Sequence, residues 1–94
     1  MITVNEAYEN VLAYVSKYEE LAKSITISEF ASDGPDVYGF YAYRNDGNPA
    51  EDDYLVSKTD GTVRPIFCLG WDIEYPESET WPVIKINHPN QRAS

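Results

Sequence analysis

The chain has 94 residues, 43% of them hydrophobic and 14% aromatic, a composition that specifies one domain with its own core and excludes a disordered acidic tail. Sixteen acidic against seven basic residues leave a net charge of −9; this repels nucleic-acid phosphate and anionic lipid and favours either a basic protein partner or plain solubility. No apolar run approaches the roughly 20 residues of a membrane span, a signal-peptide pattern is absent, and the lone Cys68 in "PIFCLGW" reads as a small buried hydrophobe, so a cytoplasmic protein is expected.

The first element is an amphipathic helix. Thr3 and Glu6 in "TVNE" match a capping box, in which each side chain bonds the other's backbone amide. Val4, Tyr8, Val11, Val15, Tyr18 and Ala22 then recur at three- and four-residue steps, widened by Ala7, Leu12, Tyr14 and Leu21. That spacing predicts a helix over about 3–23, with Glu19 and Lys23 as a favourable pair. No second long helical pattern follows, so the helix must pack on a sheet.

After Ser24 the period becomes two. "ITISEF" predicts a strand over 25–30, and "ASDGPD" a turn over 31–36. "VYGFYAYR" (37–44) is the strongest strand, with Tyr38, Phe40 and Ala42 on one face and Val37, Gly39, Tyr41 and Tyr43 on the other. Aromatics on both faces call for cover on both sides, or for a second face left partly exposed. A polar loop, "NDGNPAEDD", leads to a hairpin of strands at 53–58 and 62–69 around Asp60-Gly61. A two-residue turn there sets Leu55 opposite Ile66 and Tyr54 opposite Phe67. Pro65 cannot donate to a ladder, so its amide position faces outward or lies at an edge.

The stretch "GWDIEYPESETWPVI" holds both tryptophans among four carboxylates. "GWDIEY" reads as the end of a strand, "PESETWP" as a proline-bounded acidic loop, 82–86 as a last short strand and 87–94 as a polar tail. The sum is a single α+β domain: one N-terminal helix on an antiparallel sheet of four to five strands.

Catalytic and cofactor chemistry find little support. The only histidine, His88, stands in the tail beside Asn87 and Pro89, with nothing to orient it towards Cys68 or a serine. One Cys and one His give no zinc spacing. "NDGNPAEDD" lacks the Asp-x-Asp-x-Asp-Gly order and the glutamate at the twelfth position of a calcium loop, and the glycines stand singly. A non-enzymatic protein without cofactor or metal is expected.

The acids gather in three stretches: Glu29-Asp33-Asp36, Asp46-Glu51-Asp52-Asp53 and Asp72-Glu74-Glu77-Glu79. The last two flank the hairpin, so an antiparallel meander can bring them to one end of the sheet. Rings among carboxylates suit the capture of Lys and Arg side chains by charge pairing and cation–π contact. The candidate partner-binding residues are therefore Asp72, Glu74, Tyr75, Glu77, Glu79 and Trp81, supported by Glu51, Asp52 and Asp53. The bland alternative makes Trp71 and Trp81 core residues and leaves only the acids in water.

A helix followed by a meander whose hairpin reads "YLVSKTDGTV", with the spacing V-x-K-x-x-G-x-V, resembles small bacterial immunity proteins of polymorphic toxin systems. The resemblance covers residues 4–70 and no binding motif. It implies a non-enzymatic inhibitor of a basic toxin or nuclease, and a phage-encoded inhibitor of host defence fits the same physics. A reading from another class is a structural or oligomerisation domain that buries Tyr38, Tyr41, Tyr43 and Trp71 against a second copy, as a homodimer.

Overall fold

The computed structural model describes residues 1–86; His88 and the expected tail at 87–94 lie outside the described residues. Helix α1 (Val4–Ser16) and a short α2 (Glu19–Ser24) precede β1 (Ile25–Asp33), β2 (Val37–Arg44), β3 (Asp52–Ser57) and β4 (Val63–Phe67). The helical pieces Cys68–Gly70, α3 (Trp71–Glu74) and Pro76–Thr80 follow, and β5 (Val83–Lys85) closes an antiparallel sheet ordered β4-β3-β2-β1-β5. This is the α+β architecture that the change of period predicts.

The capping box forms at the start of α1: Glu6 N–H donates to Thr3 Oγ1 (3.1 Å), and Thr3 N–H donates to Glu6 Oε1 (3.0 Å). Thr3→Ala is expected to cost about 1 kcal/mol, read as a lower urea midpoint with an unchanged m-value. The inward stripe is Ala7, Tyr8, Val11 and Val15, packed on Phe40, Tyr38, Tyr54 and Val56 of the sheet. The expected single helix is broken at Lys17–Tyr18, where Tyr18 adopts an extended backbone. The break resets the helical phase, so Tyr18 (52% exposed) and Ala22 leave the stripe that their spacing assigned them to. Tyr18 instead lies against Tyr14, with ring centroids 5.6 Å apart.

β1 runs three residues beyond its expected end because it has two partners: β2 along most of its length and β5 at Phe30–Ser32. An irregularity between Ile27 and Ala31 shifts the β1–β2 register by two residues. In the β3–β4 hairpin the expected register is corrected: Leu55 opposes Arg64 and Tyr54 opposes Pro65. The turn is longer than two residues. Ser57 N–H donates to Thr62 O and Gly61 N–H to Ser57 O, leaving 58–61 as the loop, and only Gly61 takes a positive φ, of 77°. The two-residue slip preserves the faces, since side chains alternate with period two. Ladder bonds fall on Asp53, Leu55, Arg64 and Ile66, so Pro65 presents its missing N–H to the free edge of β4. That blunts an edge strand.

Candidate functional site

Strand β2 has cover on both sides. Tyr38, Phe40 and Ala42 meet the helix, while Gly39 and Tyr41 face a strap formed by residues 68–82, which crosses the second sheet face from the end of β4 to the start of β5. The strap is helical rather than the expected strand end. Tyr75 N–H donates to Trp71 O (2.7 Å), Ser78 N–H to Tyr75 O (2.9 Å) and Trp81 N–H to Ser78 O (3.1 Å). Steps of four, three and three residues bring Trp71, Tyr75, Ser78 and Trp81 to one side. A strand would have paired Trp71 with Ile73, yet Ile73 is 85% exposed. Pro76, which lacks an N–H, sits at the first position of its short helix, where that donor is not needed.

The inward side is ring on backbone. Trp71 lies on Gly39 and stacks on Tyr41 with centroids 5.8 Å apart, and Trp81 covers Gly34. Trp81 meets Trp71 edge-on at 6.3 Å and Tyr75 at 5.3 Å, arrangements that aromatic quadrupoles favour. Beneath them the Tyr41 hydroxyl and Ser32 Oγ share a hydrogen bond. Asp53 ties the strap to the sheet: Oδ2 accepts from Trp71 Nε1 (2.9 Å) and Oδ1 accepts from the Ala42 N–H (2.9 Å). Burial pushes the Asp53 carboxyl above the ordinary carboxylate range, with these two hydrogen bonds pulling the other way.

Of the residues expected to meet a partner, Asp72, Glu77 and Glu79 are exposed on the outer side of the strap. Glu74 is also exposed but is held in a two-pronged pair by Arg64, at 2.8 and 3.2 Å. Tyr75 is half-buried. Trp81 (8% exposed) and Asp53 (6% exposed) face inward and hold the strap in place. Glu51 is exposed at the entrance to β3, and Asp52 shares the helix side of the sheet with Tyr54. The strap lies across the opposite side, so Asp52 does not join its carboxylates in one patch, as the sequence order had suggested.

Residues that the sequence reading passed over are Arg64, Gly34 and Gly39. An isolated glycine inside the strongest strand pattern was the available signal for close backbone approach. Apolar Phe67, Leu69 and Ile73 are also exposed around the β4 edge. Cys68 is half-buried rather than sealed in the core.

Lys23, Arg44, Lys58, Arg64 and Lys85 pair with Glu19, Asp46, Asp33, Glu74 and Glu29. Among the described residues no ion pair engages Asp72, Glu77 or Glu79. No group of three or more His, Cys, Asp or Glu among them is placed to hold a metal ion, and no helix among them is long and apolar enough to cross a membrane. No protein-family model, curated protein or solved structure matches the chain.

Proposed function

We propose that the protein is a small acidic, non-enzymatic inhibitor that binds and blocks a basic effector protein through the outer side of the strap. The observation that carries this reading is the division of the strap itself. Its rings are anchored inward, and Asp72, Glu77 and Glu79 stand outward without a cationic partner among the described residues. Carboxylates on an anchored element lose little freedom on binding, which favours complementary Lys and Arg. The net charge of −9 adds long-range steering of a basic surface. A toxin or nuclease met by an immunity protein, and a host-defence component met by a phage inhibitor, are the target classes this chemistry suits.

The alternative, self-association through an aromatic sheet face, is disfavoured by occupancy. Tyr41 already lies under Trp71, and Tyr38 is buried beneath α1.

The test reverses Asp72, Glu77 and Glu79 together to lysine and leaves the Arg64–Glu74 pair intact. Proteins captured by the wild type at low salt are identified, purified and assayed for their own activity with and without inhibitor. The triple variant is expected to bind at least about tenfold more weakly, with a flatter salt dependence. Equal binding by both forms, or binding that leaves the target's activity untouched, defeats the reading.

A further inference from the structure

A concavity lies on the helix side of the sheet, away from the strap. It is an open cleft of about 510 Å³ between α2, the loop before β3 and the residue that follows β4. Its size falls in the range of small-molecule sites, about 300–1,000 Å³. Leu21, Ile25, Pro49 and Ala50 form apolar walls.

Three polar groups give the cleft its character. Asp52 is half-buried at the start of β3, and Glu51 stands exposed beside it. Tyr54 lines the cleft with only 2% of its surface exposed, and no described residue hydrogen-bonds its hydroxyl. The ring is buried while its hydroxyl opens on the cleft, so whatever fills the cleft, water or a ligand, supplies its hydrogen-bond partner. Its ring is fixed against Tyr14, with centroids 5.8 Å apart, so the hydroxyl cannot swing away to find another partner.

Among the described residues that line the cleft, the one cation, Arg44, is already engaged by Asp46 at 3.1 Å. The remaining charge in the cleft is therefore negative. Burial and then the charge of Asp52 push the Tyr54 hydroxyl up to about 12. It stays protonated and neutral at physiological pH, able to accept a hydrogen bond through its oxygen.

We propose that this cleft binds a small organic cation, a primary ammonium group on a short apolar stem. The ammonium sits between the Asp52 carboxylate and the Tyr54 hydroxyl oxygen, and the stem lies along Leu21, Ile25 and Pro49. The ammonium then donates to the Asp52 carboxylate and to the Tyr54 oxygen, with its third donor left to water at the open mouth of the cleft, and the stem replaces water on the apolar walls. Two carboxylates, one engaged arginine and apolar walls disfavour an anion at the same place. The site does not depend on the strap carboxylates.

The test follows backbone amide shifts while uniformly labelled protein is titrated with n-hexylammonium, n-hexanol or hexanoate. The expected result is saturable shifts at Leu21, Ser24, Ala50 and Cys68, with n-hexylammonium at least about tenfold tighter than the isosteric alcohol, the effect of one charge-assisted hydrogen bond. Hexanoate is expected not to bind. Bound amine should also slow alkylation of Cys68, the only thiol in the chain. Asp52→Asn is expected to erase the preference for the amine. Tyr54→Phe removes only the unpartnered oxygen, so it should fold at least as stably while binding the amine more weakly, which a merely structural role would not produce. A lysyl peptide binding more tightly than the free amine assigns the source to a partner's side chain, and the reverse order to a free metabolite amine. Equal affinity for alcohol and amine, or shifts confined to Asp72, Glu77 and Glu79, overturns the proposal.

Discussion

Replacing Asp53 by alanine is expected to lower stability by about 2–4 kcal/mol and to loosen the strap, because a buried and a part-buried donor lose a charged acceptor in one step. Trp71 Nε1 and the Ala42 N–H both end on this carboxylate, at 2.9 Å each. Without it the indole nitrogen is stranded under the strap and β2 loses the bond that continues its edge towards β3. Chemical denaturation gives the magnitude. A red shift in tryptophan emission and faster amide exchange at 71–81, ahead of global unfolding, give the location. A variant that loses stability uniformly, with the strap's protection unchanged, would contradict the latching role.

The same carboxylate sets a pH dependence of definite sign. Burial raises its folded-state value above the ordinary 3.8, so the folded state holds the proton more tightly than the unfolded chain. Its contribution is complete below the ordinary value and is lost as pH rises through the raised one. Asp53→Asn cannot ionise, so its stability relative to wild type is expected to rise with pH above the ordinary carboxylate range, on top of a constant loss because its amide offers one acceptor oxygen to two donors. Glu6, Asp46 and Asp60 shift the other way, each through a local hydrogen bond to a backbone amide. Their contribution is lost at the acid end, as pH falls through their lowered values, so the two trends occupy different windows.

The second large effect belongs to Gly39. A methyl group added there would overlap Trp71 Cη2 and lie 2.9 Å from Cζ3. The ring cannot yield easily: Asp53 holds its nitrogen, Tyr41 holds one face and Trp81 stands at its edge. Gly39→Ala is expected to cost about 1–3 kcal/mol by overpacking and to displace the strap carboxylates with it. Trp71→Ala made on top of Gly39→Ala removes the clash, so the two changes should be strongly non-additive. Additive losses in that cycle would show that the glycine matters for some reason other than the ring above it. Gly34 stands in the same relation to Trp81, whose Cε3 and Cζ3 would lie 2.8 Å from an added methyl.

The sequence by itself determined the elements whose signal is local. The capping box at Thr3 and Glu6, the stripe from Val4 to Val15, the alternation of β2 and the outward amide position of Pro65 each follow from backbone geometry within a few residues. They suffice for an α+β domain with a helix on an antiparallel sheet. The break at Lys17–Tyr18 was not legible, since Tyr18 and Ala22 continue the apolar spacing and only the turn into β1 takes them off the face. The hairpin slip was hidden because Asp-Gly, the usual mark of a two-residue turn, here sits in a four-residue loop that needs a positive φ at Gly61 alone.

Tertiary structure alone decided the candidate site. In "GWDIEYPESETWPVI" the pattern fits a strand end and a loop as readily as a helical strap. What selects the strap is a bare, glycine-bearing sheet face that Trp71 and Trp81 fill, with Asp53, eighteen residues before Trp71, supplying the latch. The same contact moves Asp53 and Trp81 from the expected binding surface to the interior and leaves Asp72, Glu77 and Glu79 outside. Local patterns encode which backbone forms, whereas which side of it meets water depends on surfaces distant in sequence. One expected acidic patch is therefore divided between two faces of the sheet.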